Sequence, residues 1–182
     1  MTHQKVKRVV VNENDEIIGA EFGEKVDAED LIYRVSSVWV VSGGGQVLMQ
    51  QRKFDKRHDP GKWGPSCVGT NDEGETYDFN AAKELGEEVG LFNVKLEPMT
   101  ERSEFVDGKH RYFMRRYLVR GNYKLSDFTK QEDEVEALEL VDIDDLIHDI
   151  CKNPEKYITN FLESVLELKE FLRNHEKEAN NV

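Results

Sequence analysis

Three glutamates, Glu84, Glu87 and Glu88, stand at positions i, i+3 and i+4 of the segment KELGEEVGL. At about 100° per residue they share one face of a helix. Ala82, Leu85 and Val89 recur at helical spacing on another face. The spacing therefore predicts a helix that buries one stripe and directs three carboxylates into a common space. Thr76 can accept a bond from the first free amides, and Gly90 suits a left-handed C-terminal cap, so the two mark the helix ends. Acidic residues on a helix surface are ordinarily just solvated. Like charges at i, i+4 nevertheless repel by about 0.2–0.5 kcal/mol, and clustered carboxylate oxygens are what hard divalent cations such as Mg²⁺ or Mn²⁺ bind.

The flanking residues sharpen this. Gly69, five residues, Glu75, seven residues and then Lys83 to Leu91 give a pattern that resembles the Nudix box, G-x5-E-x7-R-E-U-x-E-E-x-G-U with U aliphatic, across residues 69–91. The one departure is Lys83, where the family has Arg; lysine keeps the charge and loses the fork that fixes two oxygens at once. The resemblance implies an α/β class fold, the Nudix α/β/α sandwich with a mixed β-sheet, in which the box forms a loop, helix and loop at one end of the sheet. It also implies metal-dependent hydrolysis of a diphosphate linkage in a nucleoside diphosphate joined to another group. By the same resemblance Glu87 and Glu88 are the main metal ligands, Glu84 a ligand or water-activating residue, Gly69 a source of a carbonyl ligand, and Glu75 an orienting partner, with Lys83 in the place of the orienting Arg. Related enzymes often draw one more carboxylate from a loop outside the box. Here that residue is Glu134 of Q-E-D-E-V-E, with Glu132 and Glu136 as near competitors.

A looser resemblance spans residues 8–150. The hairpin VNENDEIIG, the QQR run, a basic loop leading to P-G-x-W, the box and the late acidic run look like the Nudix branch close to isopentenyl-diphosphate isomerase. Allylic isomerisation is thus the alternative activity. The isomerase carries a Cys directly before the box glycine and a metal-binding His directly after it, where this chain has Val68 and Thr70. Cys67 is one position off, and on a strand that offset turns its side chain to the opposite face. A non-catalytic nucleotide-binding module is a third reading, set against the retained box glutamates.

The 182 residues suffice for one domain, read as residues 1–182. A net charge of −12 excludes general nucleic-acid binding, since phosphate backbones demand a positive surface. A small diphosphate substrate remains compatible, because local cations can reverse the field at a site. No apolar run reaches the roughly 18 residues needed to cross a bilayer, and the N-terminus lacks a signal-peptide core, so a cytoplasmic protein is expected. Cys67 and Cys151 form neither a metal spacing nor a disulfide framework.

The elements that must position these residues read as follows. Residues 8–22 form a hairpin around the N-E-N-D turn, and Glu24–Leu31 is a short helix or connector. Val35–Val41 and Gln46–Gln51 are an antiparallel pair, and Val94–Phe105 and Tyr112–Val119 a second, joined through V-D-G-K-H. Phe113, Tyr117 and Val119 share one strand face. Arg52, Lys53, Lys56 and Arg57 form a basic loop, either solvated or a phosphate clamp, with Arg52, Lys56 and Arg57 as the substrate-binding candidates. Asp142 caps a helix to Ile150. Pro154 opens a C-terminal helix over 154–175, whose apolar stripe packs on the sheet or in a homodimer contact, and residues 176–182 are expected to fray. Trp39, Trp63, Phe105 and Tyr112 are candidates for stacking on a base.

Overall fold

The computed structural model describes residues 6–99, 103–107 and 110–180. The chain runs β1 (Lys7–Val11), β2 (Ile17–Phe22), α1 (Gly23–Ala28), β3 (Ile32–Ser42), β4 (Gln46–Arg52), β5 (Trp63–Gly64), β6 (Cys67–Thr70) and α2 (Tyr77–Val89). It continues through β7 (Glu97–Pro98), β8 (Ser103–Asp107), β9 (His110–Arg120), β10 (Val135–Asp142), α3 (Ile143–Lys152) and α4 (Phe161–Asn180).

β3 is the strand around which the sheet is arranged. Its IYRVSSVWVVS sequence is rich in β-branched and aromatic residues and almost wholly buried, as a strand covered on both faces requires. Along one edge it pairs in parallel with β9, from Tyr33↔Tyr112 to Val41↔Arg120. Its other edge is shared by β1, β6 and β4 in turn, all antiparallel. The sheet is therefore mixed. Between β3 and β4 the pairing is confined to Val41↔Val47 and Ser42↔Gln46. Beyond that point the strands part, and the short β5 and β6 fill the gap, one pairing with each.

Alternation along β3 separates two cores. Val38 and Val40 face one side with Leu48, Cys67, Phe113, Tyr117 and Val119, covered by Ala81, Leu85 and Val89 of α2. Trp39 and Val41 face the other, with Val47, Met49 and Leu118, covered by Leu146 and Ile150 of α3 and by Phe161, Val165 and Leu168 of α4. Helix, sheet and helix make three layers. Among the described residues no helix is long and apolar enough to cross a membrane.

Local chemistry places several ends where the residues predict. Thr76 accepts a bond from the Phe79 amide and Gly90 caps α2 at φ 73°, while Asp142 accepts from the amides of Asp144 and Asp145. β1 and β2 pair as a hairpin, closed by Asn12 accepting the Glu16 amide through its side chain at 3.0 Å.

Four readings are corrected. Ala81, and not Ala82, completes the buried stripe of α2, because Ala82 lies past the edge of the arc set by Tyr77 and Leu85. The segment 94–105 is not one strand: Val94 and Leu96 pack against the core from irregular backbone, and only β7 and β8 pair with β9. Pro154 opens a single 3₁₀ turn, after which Trp63 bridges to Tyr157 and Asn160 takes φ 58°, so the last helix starts at Phe161. That helix then runs on to Asn180 instead of fraying at 176. Its N-H-E-K-E-A sequence holds no helix breaker, and good helix formers extend an existing helix at one backbone bond per residue. Residues 181–182 and the glycine of the V-D-G-K-H turn lie outside the described residues.

Candidate active site

β6 and α2 bring the box together by a close approach at Gly69. A Cβ built there would stand 2.2 Å from Cγ and Cδ of Glu84, so the carboxylate of α2 rests against the bare backbone of β6. The loop between them folds onto Glu75. One of its oxygens takes the Asp72 amide at 3.0 Å and Asn80 Nδ2 at 2.9 Å, and the other takes Lys83 Nζ at 3.0 Å. Burial raises the Glu75 carboxyl, but the Asp72 amide, Lys83 and Asn80 outweigh it and hold the group below its ordinary value. Lys83 also reaches Asp72 Oδ2 at 3.0 Å and lies 3.8 Å from Glu84. Lysine thus spans two carboxylates as a point charge, one oxygen from each, where a guanidinium fork would hold a single carboxylate by both.

Glu84 and Glu88 are poorly compensated. Burial lifts the Glu84 carboxyl to about 7; Lys83 opposes the rise, and Glu87 and Glu75 add to it. Burial and the charges of Glu84 and Glu134 lift Glu88 to about 8, against hydrogen bonds from Gln50 and the Val68 amide. Gln50 Nε2 donates to Glu88 at 3.1 Å. Glu134 stands on a turn tied to the end of α2, where the Gln131 amide donates to the Glu88 carbonyl at 3.0 Å and the Thr129 amide to that of Val89 at 3.0 Å. Its carboxylate is ion-paired with Lys56, while Lys53 holds Glu136 at 3.0 Å. Lys130 pairs with Glu132 at the surface.

This donor set fits a divalent cation. It is oxygen-only, carries more negative charge than Lys83 neutralises, and includes Asn80 Oδ1, buried beside Glu75 and Glu84 with no donor. Among the described residues no three acidic, histidine or cysteine side chains already converge as ligands. Glu87 is exposed, so a three-carboxylate set requires it to turn toward Glu84 and Glu88.

On the opposite side of β6 lies a cavity of about 570 Å³. Val68 and Thr70 line it, and so does Gln50, the ligand of Glu88. Cys67 does not: it is fully buried in the core under α2, its thiol pushed well up by that burial and by Glu88 and Glu84. Four arginines, Arg8, Arg52, Arg57 and Arg116, line the cavity against two aspartates, Asp27 and Asp59. Of the basic-loop candidates Arg52 and Arg57 reach this wall, and Lys56 instead neutralises Glu134. None of the box glutamates lines it; Gln50 is their link to it. Of the aromatic candidates Phe105 and Tyr112 are in the wall, whereas Trp39 is wholly buried beneath α4 and Trp63 packs toward the same core. Gln50, Asp72 and Asn80 are site residues that sequence reasoning missed. Asn80 alone carried a signal, four residues before Glu84 and so on the same helix face.

Comparison with known proteins bears on the family and the fold. The NUDIX domain family profile matches residues 32–161. An isopentenyl-diphosphate Delta-isomerase of Serratia proteamaculans is 26% identical over 166 residues, covering 85% of this chain and 86% of that protein. An uncharacterized Nudix hydrolase of Listeria monocytogenes is 31% identical over 128 residues, 69% of this chain and 73% of its own. Among solved structures, DR0079 of Deinococcus radiodurans superposes with a TM-score of 0.72 at 21% identity, over 87% of this chain and 96% of that one.

Proposed function

Since the chain belongs to the Nudix family, we propose that it is a Mg²⁺- or Mn²⁺-dependent hydrolase of the diphosphate linkage in a nucleoside diphosphate joined to another group. The observation that carries this reading is the set of under-compensated carboxylates, Glu84 and Glu88 with Glu87 and Glu134 close enough to raise them, joined through Gln50 to an arginine-lined cavity on the other side of β6. Glu84, Glu87 and Glu88, with the Gly69 carbonyl, would hold the cation, which supplies positive charge to the phosphate oxygens and acidifies water.

The chain's own residues do the rest. Arg52 is placed in the cavity wall and contacts the substrate's phosphates, with Arg57 as its neighbour; the guanidinium fork suits two phosphate oxygens. Glu75 and Lys83 hold each other and Asp72, fixing the loop between β6, where Gly69 faces Glu84, and α2. Glu134, ion-paired with Lys56, is the candidate to receive the proton of the attacking water. The cavity volume falls within the usual range for small-molecule sites. Glu88→Gln and Glu87→Gln are expected to lower turnover by orders of magnitude in a metal-dependent assay on a nucleoside diphosphate panel. Wild-type turnover and metal affinity in both would remove the box from the chemistry. Among Glu132→Gln, Glu134→Gln and Glu136→Gln, one loss, that of Glu134, should far exceed the other two.

The isomerase reading is favoured by the names of several relatives and opposed by β6. The positions that face the cavity hold Val68 and Thr70, neither able to act as a proton-transferring thiol or an imidazole ligand. The only nearby thiol, Cys67, is in the opposite core. The protein is therefore expected not to form dimethylallyl diphosphate from isopentenyl diphosphate, and formation that is lost on Cys67→Ala would reverse this assignment.

A further inference from the structure

One carboxylate in the cavity wall gathers basic side chains from three other parts of the chain. Asp27 of α1 lies 3.2 Å from Arg8 of β1, 3.5 Å from Arg57 of the basic loop and 3.6 Å from His110 at the start of β9. His58 packs edge-on against His110 at 5.3 Å between ring centroids. All five side chains line the cavity. Arg8 is held a second time, its guanidinium 5.4 Å from the centre of the Tyr33 ring. Tyr33, Tyr112 and Phe105 stand directly opposite one another on β3, β9 and β8, so the arginine rests at one end of a row of rings in the cavity wall.

Charge and origin set this cluster apart. Two guanidiniums share a single carboxylate, which leaves positive charge facing a cavity in a protein of net charge −12. Paired guanidinium forks at a cavity wall match the oxygens of a phosphoryl group or of a carboxylate, and the diphosphate reading of the cavity selects the first. Arg8 and Asp27 also precede residue 32, where the NUDIX domain match begins. The hairpin and α1 thus add to the cavity something that the shared domain does not contain.

We propose that Arg8, Arg57 and His110, gathered by Asp27, form a phosphoryl-binding subsite, and that residues 7–28 are part of the substrate site. This rests on the diphosphate reading of the cavity. In the free protein Asp27 holds the arginines in place of the ligand; an arriving phosphoryl group takes over their N–H donors. A merely structural ion-pair cluster would need Asp27 intact to keep its shape, whereas a placeholder competes with the ligand. The two readings differ in the sign of one substitution.

The test is calorimetric titration of inorganic pyrophosphate into metal-free protein at fixed ionic strength. Arg57→Gln is expected to weaken binding about tenfold, as is Arg8→Gln, and Asp27→Asn to tighten it several-fold. Arg57 serves as the safe variant because its side chain is 74% exposed, so its replacement leaves the fold alone even if Arg8→Gln unfolds. Wild-type binding in Arg57→Gln, or unchanged or weaker binding in Asp27→Asn, would return the cluster to a structural tie. Steady-state kinetics then separate two sources of the phosphoryl group. A KM raised equally for nucleoside diphosphate derivatives with and without an extra ribose phosphate identifies the cleaved diphosphate, and a KM raised only with the extra phosphate identifies a second group. The titration needs no turnover, so failure of the hydrolase reading, seen in Glu88→Gln, is read separately from failure of this one.

Discussion

Replacing Gly69 by Ala tests the contact on which the site depends. A Cβ at position 69 would lie 2.2 Å from Cγ and Cδ of Glu84 and 2.4 Å from its Oε1. Carbon atoms pack at about 3.5–4.0 Å, so the Glu84 carboxylate has to withdraw by roughly 1.3 Å. The clash is with the flexible end of a side chain, and Gly69 does not use the left-handed backbone region, so the fold yields cheaply. Overpacking of this kind costs about 1 kcal/mol, the low end of its range, or a fall in Tm of about 2–4 °C for a domain of this size. Catalysis is far less forgiving, since displacement of a positioned group by about 1 Å can cost about 10²-fold in rate. Gly69→Ala should therefore melt within a few degrees of the wild type while kcat/KM falls by about two orders of magnitude. Thermal melts and a Mg²⁺-dependent turnover assay read the two quantities on the same sample. A folded variant with undiminished kcat/KM would refute the argument, because it would mean that the pose of Glu84 against β6 has no part in the chemistry.

Lys83→Met strands Asp72 and Glu75 without their shared cation and should cost about 1–3 kcal/mol in chemical denaturation, whereas Lys83→Arg keeps the charge and should retain both stability and turnover. The raised carboxyls of Glu84 and Glu88, at about 7 and about 8, bind protons that the unfolded chain has released above its ordinary value of 4.5. Their contribution to stability is thus full below about pH 4.5 and lost as pH rises through 7 to 8. Chelator-treated protein should accordingly gain more in Tm from added Mg²⁺ at pH 8 than at pH 5.5, and an equal gain at both would contradict the assigned shifts. Of the two thiols, exposed Cys151 should react with a disulfide reagent in the native state and buried Cys67 only after denaturation. Two fast thiols in folded protein would place Cys67 outside the core.

What could be read from residues alone was what local chemistry decides. Thr76, Gly90 and Asp142 cap their helices through bonds to residues two to five positions away, and such contacts are written in consecutive letters. The box carboxylates were legible for the same reason, since one helix face carries Glu84 and Glu88. The cavity was not. Its wall joins Arg8, Asp27, Arg57 and His110, and no periodicity relates residues so far apart. In the sequence Lys56 belongs to one basic run with Arg52 and Arg57, and its pairing with Glu134, 78 positions away, is not legible there. The start of the last helix was misplaced because Pro154 is as good an opening for a 3₁₀ turn as for an α-helix. What stops it, the bridge from Tyr157 to Trp63 and the left-handed Asn160, is tertiary.

The parallel pairing of β3 with β9 bears on how the chain is made. The two strands are roughly 80 positions apart, Tyr33 meeting Tyr112. At about 5–20 residues per second of synthesis, β3 leaves the ribosome roughly 4–16 s before the strand that covers its edge. In that interval its V-W-V-V run has β6 and β4 along one side and no partner along the other. An open apolar edge of this kind recruits strands from neighbouring chains. Slow translation between residues 42 and 112 lengthens that exposure and should raise the share of newly made protein lost to aggregates, with no change in the finished molecule.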